Sequence, residues 1–447
     1  MQLPNLLKTP SFVQTFQWLN EPTGFLEKVA LVYPDIFSSH LTGYPSVYVQ
    51  HPHAIQEIFT NDRKKFVLRQ NKFLEPVLGE YSIATLVGEQ HKRQRQLLMP
   101  PFHGDKICSY AQPILNLTEK IFTQLPRLQP FRARVITQDI TLQVILQAVF
   151  GLYEGEERYQ KLKHALVLMF EPLGSLVYSS FLFIPFLQKD LGAWSPWGRF
   201  VRLRKQVDEL IYTEIAERRA QPNPERMDVL SLLMEAKDES GKLMSDIELR
   251  DELMTLLFAG HETTATAIAW GLYWTHRVPE VGEKLCQEIN SLGDDPQPIS
   301  ISQLPYLTAV CKETLRIYPP ALFAGPRMVK EPANLAGHQL EPGTTVTPCI
   351  YLTHHRDDLY ENPKRFQPER FLDRQYSTYE FLPFGGGVRR CIGEALAWLE
   401  MKLVLATILS RYQLALVDAQ PEQARSRGLT LVPANGVKMV VTGRRMR

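Results

Sequence analysis

The sequence lacks a long apolar run at its start. Met1-Gln-Leu-Pro-Asn-Leu-Leu-Lys is too short and too polar for a signal peptide or a membrane anchor, so a soluble chain in the cytoplasm is expected. It lacks a strong charge of either sign. The net charge is +2 and no basic run exceeds a few residues, which argues against nucleic acid as a partner. Cysteine is scarce: Cys108, Cys286, Cys311, Cys349 and Cys391 are scattered and odd in number. That excludes a disulfide framework and suits free thiols in a reducing compartment. No internal repeat is visible, and nothing after residue 412 reads as a flavin-binding or iron–sulfur segment. What remains is ordinary globular material, 44% apolar and 22% charged, with chain enough for a large core and a buried cofactor.

The most unusual stretch is Phe384-Gly-Gly-Gly-Val-Arg-Arg-Cys391-Ile-Gly393. Three successive glycines exclude a stable helix or strand, so this is a loop. Glu394 to Arg411 then reads as a helix, with Leu396, Leu399 and Leu403 at +3 and +4. Cys391 thus sits just ahead of a helix N-terminus, where free N–H groups, the helix dipole, Arg389 and Arg390 all favour a thiolate. No second cysteine lies at metal-site spacing. A lone cysteine after a glycine turn is otherwise a small buried residue. A lone thiolate can also be the single protein ligand of a haem iron.

A second stretch lies mid-chain. Ser245-Asp-Ile-Glu248 is a capping box and opens a helical pattern that runs to about Arg277, stopping before Pro279. At the standard rise that helix is roughly 48 Å long and must cross the middle of the molecule. Its centre is Ala259-Gly-His-Glu-Thr263-Thr264. Gly260 weakens the helix, and the two threonines can bond backward to carbonyls and bend it. Ala259 and Thr263, one turn apart, leave a gap beside whatever the helix crosses. Glu262 next to Thr263 offers an acid beside an alcohol, either a polar kink in a core helix or a proton relay.

Elsewhere the pattern is mixed. Ser46–Gln50 reads as a strand and His53 to about Thr60 as a helix, while residues 66–86 show no period. His91 and Arg95 share one helical face, by itself a solvated basic surface. Several helices fill 110–240. Pro305 opens a helix that ends before Pro319 and carries Glu313 and Arg316. Arg327 leads into strand-like Met328-Val329 and by itself is an exposed strand-edge charge. Pro342-Gly343 reads as a hairpin-type turn, and the chain after 412 as short strands. Pro172 to Gln188 is uncharged and apolar but too broken to span a membrane, so at most peripheral membrane contact is expected.

Taken together these stretches resemble the cytochrome P-450 superfamily. Phe384, Gly387, Arg389, Cys391 and Gly393 fill its F-x-x-G-x-R-x-C-x-G signature, and the mid-chain stretch fills (Ala/Gly)-Gly-x-(Asp/Glu)-Thr-(Thr/Ser). Glu313-Thr-Leu-Arg316 and Phe366-Gln-Pro-Glu-Arg370-Phe371 match two further segments in the family's order. The resemblance implies a mainly α fold with a smaller β-rich part, one domain around haem b, with dioxygen as co-substrate and insertion of one oxygen atom. It makes Cys391 the iron ligand, within a loop that includes Phe384 and Gly393. Arg95, Arg327 and Arg389 would bind the haem propionates, joined by His91, which stands where many members have Trp. Glu262 and Thr263 would line the dioxygen pocket and deliver protons, with Thr264 in support. Ala259, Ala321, Leu322 and Phe323 would face the substrate, and Glu313, Arg316 and Arg370 would form a buried structural network.

The resemblance also implies a separate electron donor of ferredoxin or flavodoxin type, for which Lys92, Arg93 and Arg390 are a candidate basic docking face. A monomer is expected. Phe170, Leu176, Phe181, Phe183 and Phe323 favour a sizeable apolar substrate: a fatty acid, alkane or terpenoid. The alternatives are a haem-thiolate peroxygenase or isomerase, against which the intact Glu262–Thr263 pair argues, and a non-catalytic haem sensor.

Overall fold

The mid-chain helix is present at the expected length. In this computed structural model, which describes residues 3–41, 44–69, 72–175 and 187–445, it runs unbroken from Asp246 to Arg277. Its start is the capping box read from the sequence: Glu248 N–H donates to the Ser245 hydroxyl at 3.4 Å, and Ser245 N–H donates to the Glu248 carboxylate at 2.8 Å. The helix is buried on almost every side, which is why it carries no clean amphipathic stripe.

Its centre stays helical because a neighbour absorbs the polarity. The helix Ala133–Phe150 lies against it. Thr137 donates to the Ala265 carbonyl at 2.9 Å and Thr141 to the His261 carbonyl at 2.7 Å. Gly260 lets the two helices approach, since a Cβ there would stand 2.9 Å from Ile145 Cδ1. The glycine that weakens the helix locally is therefore what allows its closest packing. Glu394–Arg411, with the bounds expected, packs on the far half of the same helix, where Gly271 meets Leu405.

The β part is small. A five-stranded sheet has the order Ile36–Ser39, Ser46–Val49, Thr345–Pro348, Arg327–Val329, Phe66–Leu68. Its pairings are antiparallel except for Ser46–Val49 with Thr345–Pro348, which is parallel. One strand-level reading is corrected. Pro342-Gly343 does not close a hairpin: it links His338–Leu340, which pairs only with Ala333–Leu335, to a strand of the five-stranded sheet. The true hairpin turn is Ala336-Gly337, both at positive φ, a geometry suited to the sheet twist.

Glu313, Arg316 and Arg370 come together as expected. Arg316 lays its fork on Glu313 at 2.7 and 2.8 Å, both fully buried, and Arg370 reaches Glu313 at 3.2 Å. Arg316 also donates to the carbonyls of His354 and Pro363, each at 2.8 Å. One carboxylate thus ties the Pro305–Ile317 helix to the strand-poor segment that leads to Cys391. Leu176, Phe181 and Phe183 lie outside the described residues, as does most of the apolar stretch from Pro172 to Gln188. Among the described residues no helix is long and apolar enough to cross a membrane.

Glu313→Gln leaves two buried guanidinium groups without their carboxylate. The expected loss of stability is about 3–5 kcal/mol, read as a lowered urea midpoint. An unchanged midpoint would mean the network is dispensable.

Candidate haem-thiolate site

The Cys391 loop is shaped by what presses on it. Gly385 and Gly387 have φ of +67° and +63°, the left-handed region that glycine tolerates. Gly386 is held by contact instead, since a Cβ there would lie 2.4 Å from the Phe59 ring. Cys391 N–H closes the loop on the Phe384 carbonyl at 3.1 Å, and the Phe384 ring packs edge-on against Trp398, 5.3 Å away. Gly393 is the residue before the following helix, and its N–H is directed at the Cys391 sulfur. Cys391 has open surface, but that surface is the wall of an internal cavity of about 380 Å³.

Arg390 and the N–H of Gly393 at the helix N-terminus pull the Cys391 thiol toward the thiolate, and burial opposes them. Burial pushes the Cys391 thiol up to about 11, against the opposing pull of Gly393 N–H, Arg95 and Arg390. Arg390 is in fact spent on Glu394, at 2.6 and 2.7 Å, and Glu394 works against the thiolate.

On one side of this loop lies a set of cations. Arg389 is largely buried and donates to the carbonyls of Ile83 at 2.9 Å and Leu86 at 2.5 Å. Burial, reinforced by Arg327, Arg63 and Arg95, lowers its pKa to about 9. His91 is buried beside it. Desolvation first, then Arg389 and Arg95, lower its pKa to about 3, so it is neutral at physiological pH. Arg95 donates to the Arg390 carbonyl at 2.8 Å. Arg327 is not a strand-edge charge but is buried, and it holds Asp62 through a two-pronged contact at 2.7 and 2.9 Å. Asp62 also accepts Val388 N–H at 3.2 Å, tying the Cys391 loop to the sheet. Asp62 and Arg63 are members of this cluster that sequence reasoning misses. A lone Asp-Arg pair after a helix carries no signal until the fold sets it beside Arg327.

This donor set fits haem b. The group would bring two carboxylates to a cluster of guanidinium groups that has Asp62 as its carboxylate, and its iron would be held by one cysteine sulfur. Among the described residues no cluster of three or more His, Cys, Asp or Glu side chains offers any other metal site. His91, Arg95 and Arg389 are the residues that would hold the carboxylates, and Cys391 the iron.

The cavity brings most of the other candidates together. Ala259, Thr263 and Thr264 of the central helix line it, with Ala321, Phe323, Phe384, Arg389, Cys391 and Gly393. Thr263 donates its hydroxyl proton to the Ala259 carbonyl at 2.8 Å and so presents only lone pairs elsewhere. Leu322 does not line it. The chain bends at Leu322, and its side chain packs instead in the core cluster with Phe37 and Tyr48. Phe323 reaches the cavity but stacks its ring against Trp18 at 5.4 Å and lies 5.1 Å from Tyr48. Phe170 is turned away, against Phe258 and His261.

Glu262 is not in the cavity either. Consecutive helical residues point about 100° apart, and its carboxylate lies 3.2 Å from Arg427 and 3.5 Å from Arg134. Burial raises its pKa despite both arginines. Sequence reasoning misses Ile83, Phe102, Ile145 and Glu400 as lining residues. Each comes from a different element, so no local spacing announces it. The docking reading for Arg93 is also corrected: it is engaged by Asp238 at 2.5 Å and Glu248 at 2.6 Å, fastening the His91 helix to the capping box.

Comparison with known proteins bears on the whole chain. The family model described as Cytochrome P450 matches residues 4–440. A Mycobacterium bovis protein provisionally named cytochrome P450 135B1 is 34% identical over 100% of this chain and 92% of its own length. A Mycobacterium tuberculosis protein provisionally named cytochrome P450 138 is 31% identical over 99% of this chain and 97% of its own. Among solved structures, retinoic acid-bound cyanobacterial CYP120A1 superposes with a TM-score of 0.86 at 26% identity, covering 99% of both chains. The cytochrome P450DA heme domain gives 0.85 at 20% identity, covering 99% of this chain and 98% of that one, a likeness of fold.

Arg95→Leu removes a cation from the cluster without touching the cavity wall. The purified variant is expected to carry at least several-fold less haem per chain than the parent when both are washed at moderate salt. Equal haem content would remove Arg95 from the cradle.

Proposed function

The chain belongs to the cytochrome P450 family, and on that premise we propose that it hydroxylates an apolar substrate, a fatty acid, alkane or terpenoid, using dioxygen and electrons from a separate ferredoxin or flavodoxin. The observation that carries this reading is one cavity lined at once by Cys391 and by the small and hydroxylic residues Ala259 and Thr263 of the central helix. Haem held through Cys391 supplies the activation of dioxygen, where electron density from a thiolate favours O–O cleavage.

The chain's own residues do the remaining work in this reading. Arg95, His91 and Arg389 orient the cofactor, with Arg389 also fixing Ile83 at the cavity edge through its carbonyl. Ala259, Gly260 and Ala321 leave room and keep water out. Thr263 accepts hydrogen bonds at Oγ1, since its own proton is committed to the Ala259 carbonyl. Glu262, whose pKa burial raises against the pull of Arg134 and Arg427, is the acid beside Thr263 on another face of the helix, with Thr264 supporting Thr263.

Several features support an apolar substrate. Ile83, Leu98, Phe102, Ile145 and Phe323 dominate the cavity wall. The structurally similar cyanobacterial protein has retinoic acid bound, a terpenoid acid, which favours the isoprenoid end of the range. The five free cysteines are in keeping with a cytoplasmic setting.

The test is a spectral titration of the ferric protein with fatty acids, alkanes, terpenoids and steroids. A saturable low-spin to high-spin shift with an apolar class, terpenoid acids among the strongest, is expected. No shift with any of them, in protein that still binds carbon monoxide as a thiolate-ligated haem, would contradict the substrate reading.

A further inference from the structure

A second recess lies across the central helix from the haem cavity and shares no lining residue with it. Its volume is about 500 Å³. Arg132 and Arg134 enter it from the start of the Ala133–Phe150 helix. Arg425 and Arg427 enter it from the strand Ala424–Arg427. The latter two are spaced by two residues on a strand and so share one face. Four arginines therefore line one recess, and the carboxylates near them are Glu171 on the wall and Glu262 beside Arg134 and Arg427.

The charges are poorly matched. Arg132 and Arg425 are exposed and make no ion pair among the described residues. Arg427 donates to the Glu171 carbonyl at 3.0 Å and shares Glu262 with Arg134. Arg134 is more than nine-tenths buried, yet its Nη1 makes no hydrogen bond, since Glu262 stands off at 3.5 Å outside bonding geometry. A buried guanidinium nitrogen with no acceptor is costly. Arg forks match the planar or tetrahedral oxygens of carboxylates and phosphates.

We propose that this recess binds a small organic oxyanion, a phosphate- or carboxylate-bearing molecule, and that its occupancy draws Arg134 and Arg427 away from Glu262. The recess is then an effector site separate from the substrate cavity. It reaches the reaction through the one acidic residue of the central helix that adjoins Thr263. The site itself stands on the arginine geometry alone; the link to turnover rests on the proton role assigned to Glu262.

The test uses the full-length haem-loaded protein and three probes at matched ionic strength: inorganic pyrophosphate, citrate and potassium chloride. Binding is read by titration calorimetry in the ferric protein, without turnover. The comparison is the double variant Arg132→Gln/Arg425→Gln, which leaves both cavity and cofactor cradle untouched. The expected result is saturable one-to-one binding of pyrophosphate or citrate but not chloride, weakened tenfold or more in the double variant. A preference for pyrophosphate identifies a phosphate ligand and a preference for citrate a carboxylate. In turnover, the fraction of electrons lost to hydrogen peroxide should change along the same saturation curve in the parent and stay flat in the variant. No saturable binding, or equal binding by parent and variant, would overturn the site. Binding with an unchanged peroxide fraction would overturn the link to Glu262.

Discussion

The arrangement depends on an excess of positive charge, partly buried, beside the Cys391 loop. Arg389, Arg327, Arg95 and Arg63 lie close enough to depress one another or His91, and Asp62 is the carboxylate within the cluster. Such a cluster is unfavourable by itself, because Asp62 is bidentate to Arg327 alone and the largely buried Arg389 has only carbonyl partners. A ligand with two carboxylates removes that penalty. Cofactor binding and local stability are then one quantity, and the polar contacts around the loop follow from it. Asp62 anchors Val388, Arg389 fixes the carbonyls of Ile83 and Leu86, and Arg95 holds the carbonyl of Arg390.

The central helix divides the chemistry between two faces. Ala259, Thr263 and Thr264 look into the cavity, while Glu262 looks toward Arg134 and Arg427. The acid and the alcohol are adjacent in the chain but not joined to each other. Any proton that passes between them crosses the edge of the helix, by movement of the Glu262 side chain or by water. The same division keeps a carboxyl group out of an apolar cavity, where burying it without partners would be costly, and leaves it partly exposed beside two arginines.

Much of this is legible in the residues. The capping box, the helix bounds at Glu394–Arg411 and Pro305–Ile317, and the cysteine loop are local signals, and each element appears where its signal stands. The Glu313 network is legible because its members sit in two recognisable segments. What cannot be read depends on contacts distant in sequence. Gly260 looks like a weakness until Ile145 is placed against it, and Gly386 like simple flexibility until Phe59 is. Leu322 falls in the wrong layer because the chain bends there and seats it in a core cluster whose other members, such as Phe37 and Tyr48, lie far away in the sequence. Glu262 is misplaced into the cavity because neighbours in sequence are a quarter-turn or more apart on a helix. Arg327 looks exposed because Asp62, 265 residues earlier, cannot be paired with it by eye.

The central claim is that Cys391 is the iron ligand of a haem seated by this cluster. The most direct measurement is the absorption spectrum of the reduced carbon monoxide complex of the parent and of Cys391→His. A thiolate-type, red-shifted Soret band is expected in the parent and its loss in the variant, with haem still bound by the arginine cradle. A variant that keeps the red-shifted band, or a parent that never shows it, would contradict the claim.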